Sequence, residues 1–434
     1  MVNIAVSTLG LSYSVPEGPG MLTTAKYKDV SWDFRKSDTK EYTHCFHNYP
    51  AMMIPQVVRK LLERYGVHDG WLLDPYCGTG TSLVEASIFG MNAVGCDINP
   101  LVRLIATAKT TPVSLDKLDG HIEVLQDKLT RFRLDRNGLP ATNIPHILNM
   151  DYWFSNDVAK QLSMIREHIL SVKDAVARNF LWVAFSETVR ECSYTKNGEF
   201  KLVRMAPDKL ESHNPDVFGT FIGKLARNRD GLAAYIKRRQ DVDVLVTDAN
   251  TANDETPRPP KSFDLVITSP PYGDSPTTVA YGQFSRLSAE WIGLPNPRKV
   301  DRLSMGGTRK DGYLPDSPVS PAIEEIRIAD RKRARQVESF YFDLRQSIRT
   351  VTSVTSDEAT VCYVVGNRRV KGVTLPTDEF VAFTFGELGF SHEETVVRNI
   401  PNKRMPSVNS PSNVTGKTDT TMREESIVVC QRRE

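Results

Sequence analysis

The amino-acid sequence predicts an α/β fold built on a mostly parallel β-sheet, and two stretches carry this prediction. The apolar residues 71–73 end in Asp74, enter a glycine-rich turn and continue into a helical pattern from Ser82 to Phe89. A strand, a glycine-rich turn and a helix in this order place a helix N-terminus and bare backbone N–H groups at one ligand site. The apolar run from Phe263 to Ile267 leads into a proline-containing loop and indicates a second buried strand.

Length and composition narrow the class of protein. The chain has 434 residues, which is enough for one large domain with an inserted or appended lobe. It carries 55 Lys and Arg against 53 Asp and Glu, so any surface for nucleic acid must be local. Its six cysteines form no CxxC pattern, which argues against a disulfide framework and a zinc site. With neither a signal peptide nor an apolar run of about 20 residues, we expect a soluble, cytoplasmic protein without metal or membrane.

The loop after the second strand has the chemistry to hold a planar amine. It consists of Ser269, Pro270, Pro271 and Tyr272. The two prolines fix φ and remove two N–H donors, so the carbonyls of Ser269 and Pro270 remain available to a ligand. The Ser269 hydroxyl and the Pro270 carbonyl suit an exocyclic amine, while the Tyr272 ring suits stacking on a flipped base. A proline-pair turn without function is the alternative.

A carboxylate after the next strand indicates a small-molecule pocket. Residues 92–96 form a short apolar run that ends at Asp97, a position where such folds bind ribose hydroxyls. The glycines of the preceding turn permit close approach of a ligand. The turn lacks the full dinucleotide fingerprint, so the pattern does not favour NAD.

Two motifs together resemble those of a known family. Residues 74–81, Asp-Pro-Tyr-Cys-Gly-Thr-Gly-Thr, and residues 268–272, Thr-Ser-Pro-Pro-Tyr, are similar to the cofactor and catalytic motifs of the S-adenosylmethionine-dependent DNA amino-methyltransferases. These enzymes methylate cytosine N4 or adenine N6. The resemblance implies a Rossmann-like methyltransferase sheet, mostly parallel with a terminal antiparallel hairpin, plus a largely helical insertion. It also implies S-adenosyl-L-methionine as cofactor and double-stranded DNA as partner.

The resemblance extends to individual residues. The segment His47-Asn48-Tyr49-Pro50-Ala51 is similar to a further cofactor element of the family, and Asp248, at the end of the third predicted strand, matches an acid that accepts from the cofactor's adenine amine. His44 and His47 lack a third ligand, so they do not predict a metal site. The expected catalytic residues are Ser269, Pro270, Pro271 and Tyr272. The expected cofactor residues are Tyr49, Pro50, Asp74, Tyr76, Cys77, Gly78, Thr79, Gly80, Thr81, Asp97, Ile98, Asn99, Asp248 and Ala249.

The remaining patterns predict three regions. Residues 1–110 form an N-terminal arm, draped over the surface, and the cofactor-binding half; residues 111–240 form a helical insertion and possible DNA-recognition region; residues 241–434 form the catalytic half, with a basic insertion at about 295–336. Within the last region we predict a helix at 340–351, a strand at 359–366 and a helix at 379–388. Residues 394–398 and 426–429 predict the closing hairpin, with a polar loop between them over the cleft.

Three basic clusters are candidates for contact with DNA phosphates. They are Lys237, Arg238 and Arg239; Arg331, Lys332 and Arg333; and Lys403 and Arg404. Solvated surface faces are the alternative explanation, because charge runs usually mean only that.

The first residue of the catalytic motif orders the functional hypotheses. Serine there resembles the N4-cytosine enzymes, whereas N6-adenine enzymes more often carry Asp or Asn. The first hypothesis is a DNA N4-cytosine methyltransferase from a restriction-modification pair, with a restriction endonuclease acting separately. A DNA N6-adenine methyltransferase is the second hypothesis, and an RNA amino-methyltransferase is the third. From another class, the alternative is a non-catalytic nucleic-acid-binding protein with a decayed site. Cys77 lies in the cofactor loop, so cytosine C5 chemistry is disfavoured. Because the ring face of Tyr272 and not its hydroxyl is expected to contact the base, Tyr272→Phe should remain largely active.

Overall fold

A computed structural model describes residues 26–134, 143–196, 198–257, 261–274, 279–310, 314–400, 408–409, 419–420 and 422–433. The strands are β1 (Lys26–Lys28), β2 (Trp71–Asp74), β3 (Asn92–Cys96), β4 (Val244–Thr247), β5 (Phe263–Thr268), β6 (Thr355–Val365), β7 (Arg369–Val370), β8 (Val373–Thr374), β9 (Phe390–Asn399), β10 (Val408–Asn409), β11 (Asp419–Thr420) and β12 (Glu424–Arg432). The helices are α1 (Pro55–Tyr65), α2 (Thr81–Phe89), α3 (Pro100–Thr110), α4 (Leu115–Leu134), α5 (Met150–Trp153), α6 (Asn156–Ser171), α7 (Ala175–Cys192), α8 (Pro207–Glu211), α9 (Val217–Ile236), α10 (Tyr281–Ile292), α11 (Val300–Leu303), α12 (Ser320–Ala329), α13 (Arg331–Thr352) and α14 (Thr377–Gly386).

An eight-stranded sheet organises the chain, in the order β1-β9-β12-β6-β5-β2-β3-β4. The strands from β4 to β6 are parallel, and β12 inserts antiparallel between β6 and β9. This confirms the predicted mostly parallel sheet with a closing antiparallel hairpin. The edge strand β1, which pairs with β9, was not predicted, because the N-terminal arm was expected only to drape over the surface.

Both faces of the sheet are covered, which explains why its central strands are apolar throughout. Leu72 and Leu265 face a core shared with α1 and α2. Leu73 and Val266 face a second core shared with α12, α13 and α14. Side chains that alternate in sequence therefore enter different cores.

The long helices between α3 and β4 pack against α3, against the segment before α1 and against α10. Phe180 and Phe185 of α7 share a core with Phe46 and with Trp291 of α10. The insertion therefore contacts both the segment before α1 and the segment after residues 269–272, while the proposed division into three regions remains a prediction.

Three further findings concern the described part of the chain. All six cysteines are unpaired and buried. Within the described residues, no group of three or more His, Cys, Asp or Glu side chains is placed to hold a metal ion. None of the described helices combines the length and apolar character needed to cross a membrane.

Candidate active site

A cleft opens where β2, β3 and β5 end. Its volume is about 990 Å³ with the open mouth included, close to the upper end of the ~300–1,000 Å³ range of small-molecule sites. Most of the predicted residues line it: Tyr49, Pro50, Asp74, Tyr76, Cys77, Gly78, Thr79, Thr81, Asp97, Ile98, Asn99, Ala249, Ser269 and Pro271. Four others, Gly80, Asp248, Pro270 and Tyr272, are not among its lining residues.

Asp74 joins the two sequence motifs. Its Oδ1 accepts hydrogen bonds from the Thr268 hydroxyl at 2.6 Å and from the backbone N–H of Tyr76 at 3.1 Å, and the Ser82 hydroxyl donates to its Oδ2. Burial raises the pKa of Asp74 to about 6, against the lowering effect of these donors. The carboxylate therefore fixes the end of β2 to the end of β5 and to the first turn of α2.

The glycine-rich loop is shaped by two residues in the left-handed region. Gly78 has φ +49° and Gly80 has φ +78°, and Gly80 is the N-cap of α2. A Cβ at Gly80 would lie 2.9 Å from the Cβ of Ala106 on α3, so the close approach of the two elements requires glycine. Thr81, the first residue of α2, lines the cleft, which brings the positive end of the helix dipole to its wall.

Asp97 is held against this loop. Its Oδ2 accepts from the Gly78 N–H at 3.1 Å and its Oδ1 from the Asn99 N–H at 2.8 Å. Burial raises the pKa of Asp97 to about 6. A carboxylate offers about four acceptor positions, so Asp97 keeps capacity for the hydroxyl groups of a ligand.

One wall of the cleft combines three distant segments. Asn99 Nδ2 donates to the Tyr49 hydroxyl at 2.9 Å and to Ser285 Oγ at 2.8 Å. The Tyr49 ring lies parallel to that of Tyr281, with centroids 6.3 Å apart. Sequence analysis missed Tyr281 and Ser285, because the start of α10 carries no local motif.

Of the two histidines before α1, His44 belongs to a buried hydrogen-bond network. His44 Nε2 lies 2.9 Å from Glu85 Oε1 of α2, and Arg59 of α1 donates to Oε2 of the same carboxylate at 2.9 Å. Burial lowers the pKa of His44 to about 4, so its ring is neutral. This buried network attaches the segment that carries Tyr49 to α1 and α2.

One predicted cofactor residue, Asp248, differs from its expected setting. The Asp248 side chain is 82% exposed and lies 4.0 Å from Arg103, while its neighbours Ala249 and Asn250 line the cleft. Asn250 also caps the 3-10 helix Thr251–Asn253, and sequence analysis missed it. Burial raises the pKa of the Cys77 thiol well above its usual value, so this thiol is no ready nucleophile.

The hydroxyl of Tyr272 makes two hydrogen bonds, one as acceptor and one as donor. Ser269 Oγ donates to it at 3.2 Å, and it donates to Glu425 Oε1 at 3.0 Å. Burial and the nearby Glu425 carboxylate raise the pKa of Tyr272 well above its usual value, so the phenol stays protonated. Sequence analysis assigned a role to the ring alone and missed Glu425, which lies on β12.

The residues after Tyr272 are clamped by two arginines. Asp274 is 1% exposed, and its carboxylate accepts from Arg333 at 2.9 Å and from Arg368 at 2.9 Å. Gly273 has φ +156°, and a Cβ there would lie 2.0 Å from the Arg368 guanidinium. The loop is therefore fixed at its far end by an ion-pair network.

The predicted basic clusters have different settings. Helix α13 begins at Arg331 rather than at residue 340, because Asp330 caps it by accepting from the Arg333 N–H at 3.0 Å. Arg333 turns inward to Asp274, while Arg331 and Lys332 are exposed.

The other two basic clusters are not part of α13. Lys237, Arg238 and Arg239 follow α9 and precede β4. They therefore lie at the end of the sheet where the parallel strands begin, whereas the cleft lies where these strands end. Lys403 and Arg404 lie outside the described residues.

Comparison with known proteins identifies the family. Residues 40–135 match a family model described as RMKL-like, methyltransferase domain. The type II methyltransferase M.MvaI of Kocuria varians is 39% identical over 419 residues, covering 91% of this chain and 92% of that protein. This chain belongs to the type II methyltransferases. The type II methyltransferase M.BsoBI of Geobacillus stearothermophilus is 23% identical over 277 residues, 57% of this chain and 52% of that protein. Among solved structures, TrmN from Thermus thermophilus matches with a TM-score of 0.31 and 8% identity, over 88% of this chain and 49% of that chain.

The methyl donor of this type II methyltransferase is S-adenosylmethionine, and the cleft fits its chemistry. Asp97 offers acceptors for ribose hydroxyls, and the N-terminus of α2 favours a carboxylate. The side chains of Met52, Val102 and Met305 give the cleft an apolar part. When bound, the donor supplies a methyl group made electrophilic by a positively charged sulfur.

Proposed function

We propose that this type II methyltransferase transfers a methyl group to the exocyclic N4 amine of cytosine in double-stranded DNA. It would act at a specific sequence, as the modification half of a restriction-modification pair. The supporting observation is Ser269, the first residue of the proposed catalytic motif, which lines the same cleft as the residues proposed to bind the donor. The similarity to a protein named as a type II methyltransferase, over 91% of this chain, supports the DNA substrate.

The proposed chemistry follows from the weakness of the nucleophile. The lone pair of the cytosine amine is delocalised into the ring, so the amine attacks poorly unless its nitrogen becomes more tetrahedral. Hydrogen bonds from its two N–H groups to Ser269 Oγ and to the Pro270 carbonyl favour that geometry, since neither proline supplies a competing donor. The base leaves the duplex to reach these acceptors and stacks on Tyr272. The enzyme then acts by positioning and electrostatics, without a covalent intermediate.

Analysis of the product tests this proposal. Unmodified bacterial genomic DNA is incubated with the enzyme and S-adenosylmethionine, digested to nucleosides and examined by mass spectrometry. We expect N4-methylcytosine, and no methylated nucleoside with Ser269→Ala. N6-methyladenine as the sole product would replace cytosine by adenine as the target, while methylation of RNA but not DNA would contradict the DNA assignment.

A second expectation concerns the surface that holds DNA. Arg331 and Lys332 are exposed within one helical turn of Arg333, whose side chain reaches the loop after Tyr272, so phosphates near the flipped base lie within their reach. Replacing both by alanine should weaken DNA binding and reduce the slope of log K against log salt by about 1–2, since each phosphate contact contributes ~0.9. Fluorescence anisotropy over a salt series measures both quantities.

The matched control removes the same charge from the opposite edge of the sheet. Lys237→Ala with Arg238→Ala deletes two exposed cations after α9. We expect this pair to leave the slope unchanged. A larger loss of slope from the control pair than from the α13 pair would place the DNA on the other edge.

A further inference from the structure

A chain of hydrogen bonds runs from the proposed amine-binding serine to a carboxylate on a different part of the sheet. Ser269 Oγ, the Tyr272 hydroxyl and Glu425 Oε1 are joined by contacts of 3.2 and 3.0 Å. The proposed function uses the Ser269 oxygen, the Pro270 carbonyl and the Tyr272 ring. It assigns no role to the Tyr272 hydroxyl or to Glu425.

The direction of these hydrogen bonds follows from the number of protons that each group has to donate. An ionised carboxylate only accepts, so the single proton of the Tyr272 hydroxyl is committed to Glu425. The Tyr272 oxygen must then accept from its other neighbour, which is Ser269. The proton of Ser269 is thereby used within the protein, and its lone pairs are left for a donor in the cleft.

Glu425 is held in place for this task. Its second oxygen accepts from Arg398 at 2.6 Å, and the two residues are directly opposite each other on β12 and β9. Arg398 is 4% exposed and donates to the Trp32 carbonyl at 2.8 Å, so its guanidinium is anchored in turn. Glu425 keeps 15% of its side-chain surface exposed. The carboxylate is therefore rigid, charge-compensated and still in contact with solvent.

We propose that Glu425 is a positioning residue that acts through Tyr272, making Ser269 a hydrogen-bond acceptor for the amine and receiving the proton released by methyl transfer. This inference rests on the proposed function to the extent that the nucleophile is an exocyclic amine. It deepens that function by naming the destination of the proton, and it applies equally to a cytosine or an adenine amine.

The proton balance closes along the chain. The amine nitrogen gives its lone pair to the methyl group, the methyl–sulfur bond breaks and its electron pair stays on sulfur. The nitrogen then carries one proton too many. That proton passes to Ser269 Oγ as the Ser269 proton passes to Tyr272 and the Tyr272 proton passes to Glu425. Both hydroxyls end as they began, and the neutral Glu425 carboxyl loses its proton to water.

The test uses Tyr272→Phe, which keeps the ring, and Glu425→Gln, which removes the ionised acceptor. The introduced amide would place its oxygen toward Arg398 and its NH₂ group toward Tyr272, which reverses the direction of the chain and points the Ser269 proton into the cleft. Single-turnover transfer of tritiated methyl from S-adenosylmethionine to unmodified bacterial genomic DNA measures the chemical step, and calorimetry measures donor affinity. We expect each variant to slow the step about 100-fold, the low end of the range for positioned proton transfer, with donor affinity unchanged. For Tyr272→Phe this replaces the expectation from the sequence that the ring alone is sufficient, because the hydroxyl contacts both Ser269 and Glu425.

Two comparisons separate this role from a structural one. Glu424→Gln is the matched control, because Glu424 precedes Glu425 on β12 but pairs with Lys28 at the surface; its rate should equal that of the wild type. The double variant should be no slower than either single variant, since both break one chain. A wild-type rate for Tyr272→Phe, equal effects of the two glutamate variants, or multiplicative losses in the double variant would overturn the proposal. Product analysis of the wild-type enzyme separately decides between cytosine and adenine, so a wrong target base would leave these rate ratios interpretable.

Discussion

Replacing Gly80 by leucine should abolish binding of S-adenosylmethionine. Gly80 has φ +78°, a conformation that costs an L-residue about 1–2 kcal/mol, and its added Cβ would lie 2.9 Å from Ala106 Cβ and 3.2 Å from Ala106 Cα. Helix α3 must move away to relieve this contact. Because α3 directly follows the segment of Asp97, that shift separates the Asp97 carboxylate from the Gly78 N–H that it now accepts. Calorimetric titration should show donor affinity reduced by at least about 100-fold, a loss of ~2.7 kcal/mol.

A matched substitution separates this effect from backbone strain. Gly389 has φ +85° and its added Cβ would meet nothing within 4 Å, so Gly389→Leu introduces a similar dihedral strain without the clash. We expect it to lower thermal stability and to bind the donor normally. Normal binding by Gly80→Leu, or an equal loss in Gly389→Leu, would remove Gly80 from the cofactor site.

The parts of the site that sequence analysis located are those with local signals. The strand before Asp74, the glycine turn and the helix after it follow one another within a short stretch, so turn chemistry and hydrophobic periodicity define them together. The same holds for β5 and the Ser-Pro-Pro-Tyr loop. The closing hairpin was also predictable, because β9 and β12 contain runs rich in residues that favour strands, separated by a polar segment.

The parts that were missed depend on contacts between residues far apart in sequence. Glu425 reaches Tyr272 because β12 inserts between β6 and β9, a register that no local pattern encodes. Arg333 belongs to a basic run whose sequence predicts a DNA-binding surface. Its side chain instead binds Asp274, which lies 59 residues earlier in the sequence. Asp248 shows the converse: a strand-end carboxylate matched the family pattern, but its side chain points to solvent. The sequence was therefore sufficient to place Asp248 at the end of a strand of the sheet. Only the structure shows in which direction its side chain points.

Replacing Asp274 by alanine should be the most destabilising single change near the site. The carboxylate is 1% exposed, and the side chains of Arg333 and Arg368 that bind it are 12% and 10% exposed. Removing one partner of a buried ion pair typically costs about 3–5 kcal/mol, because the remaining charges are left uncompensated. The loop that carries Tyr272 and Gly273 would lose its anchor at the same time. We expect the free energy of unfolding in urea to fall by that amount.

Methyl transfer and donor binding should separate in this variant. The proposed donor site is built from β2, β3 and the loop around Gly78, none of which contacts Asp274. Affinity for S-adenosylmethionine, measured at a temperature where the variant is folded, should therefore be retained. The methyl-transfer rate should fall to background. Glu324→Ala provides the control: its carboxylate is 65% exposed in an ion pair with Arg327, and such surface pairs contribute only about 0–1 kcal/mol. Two outcomes would contradict this prediction: Asp274→Ala being no less stable than Glu324→Ala, or transferring methyl groups at the wild-type rate. The two arginines would then not fix the loop, and its geometry would have to come from the prolines and Asp74 alone.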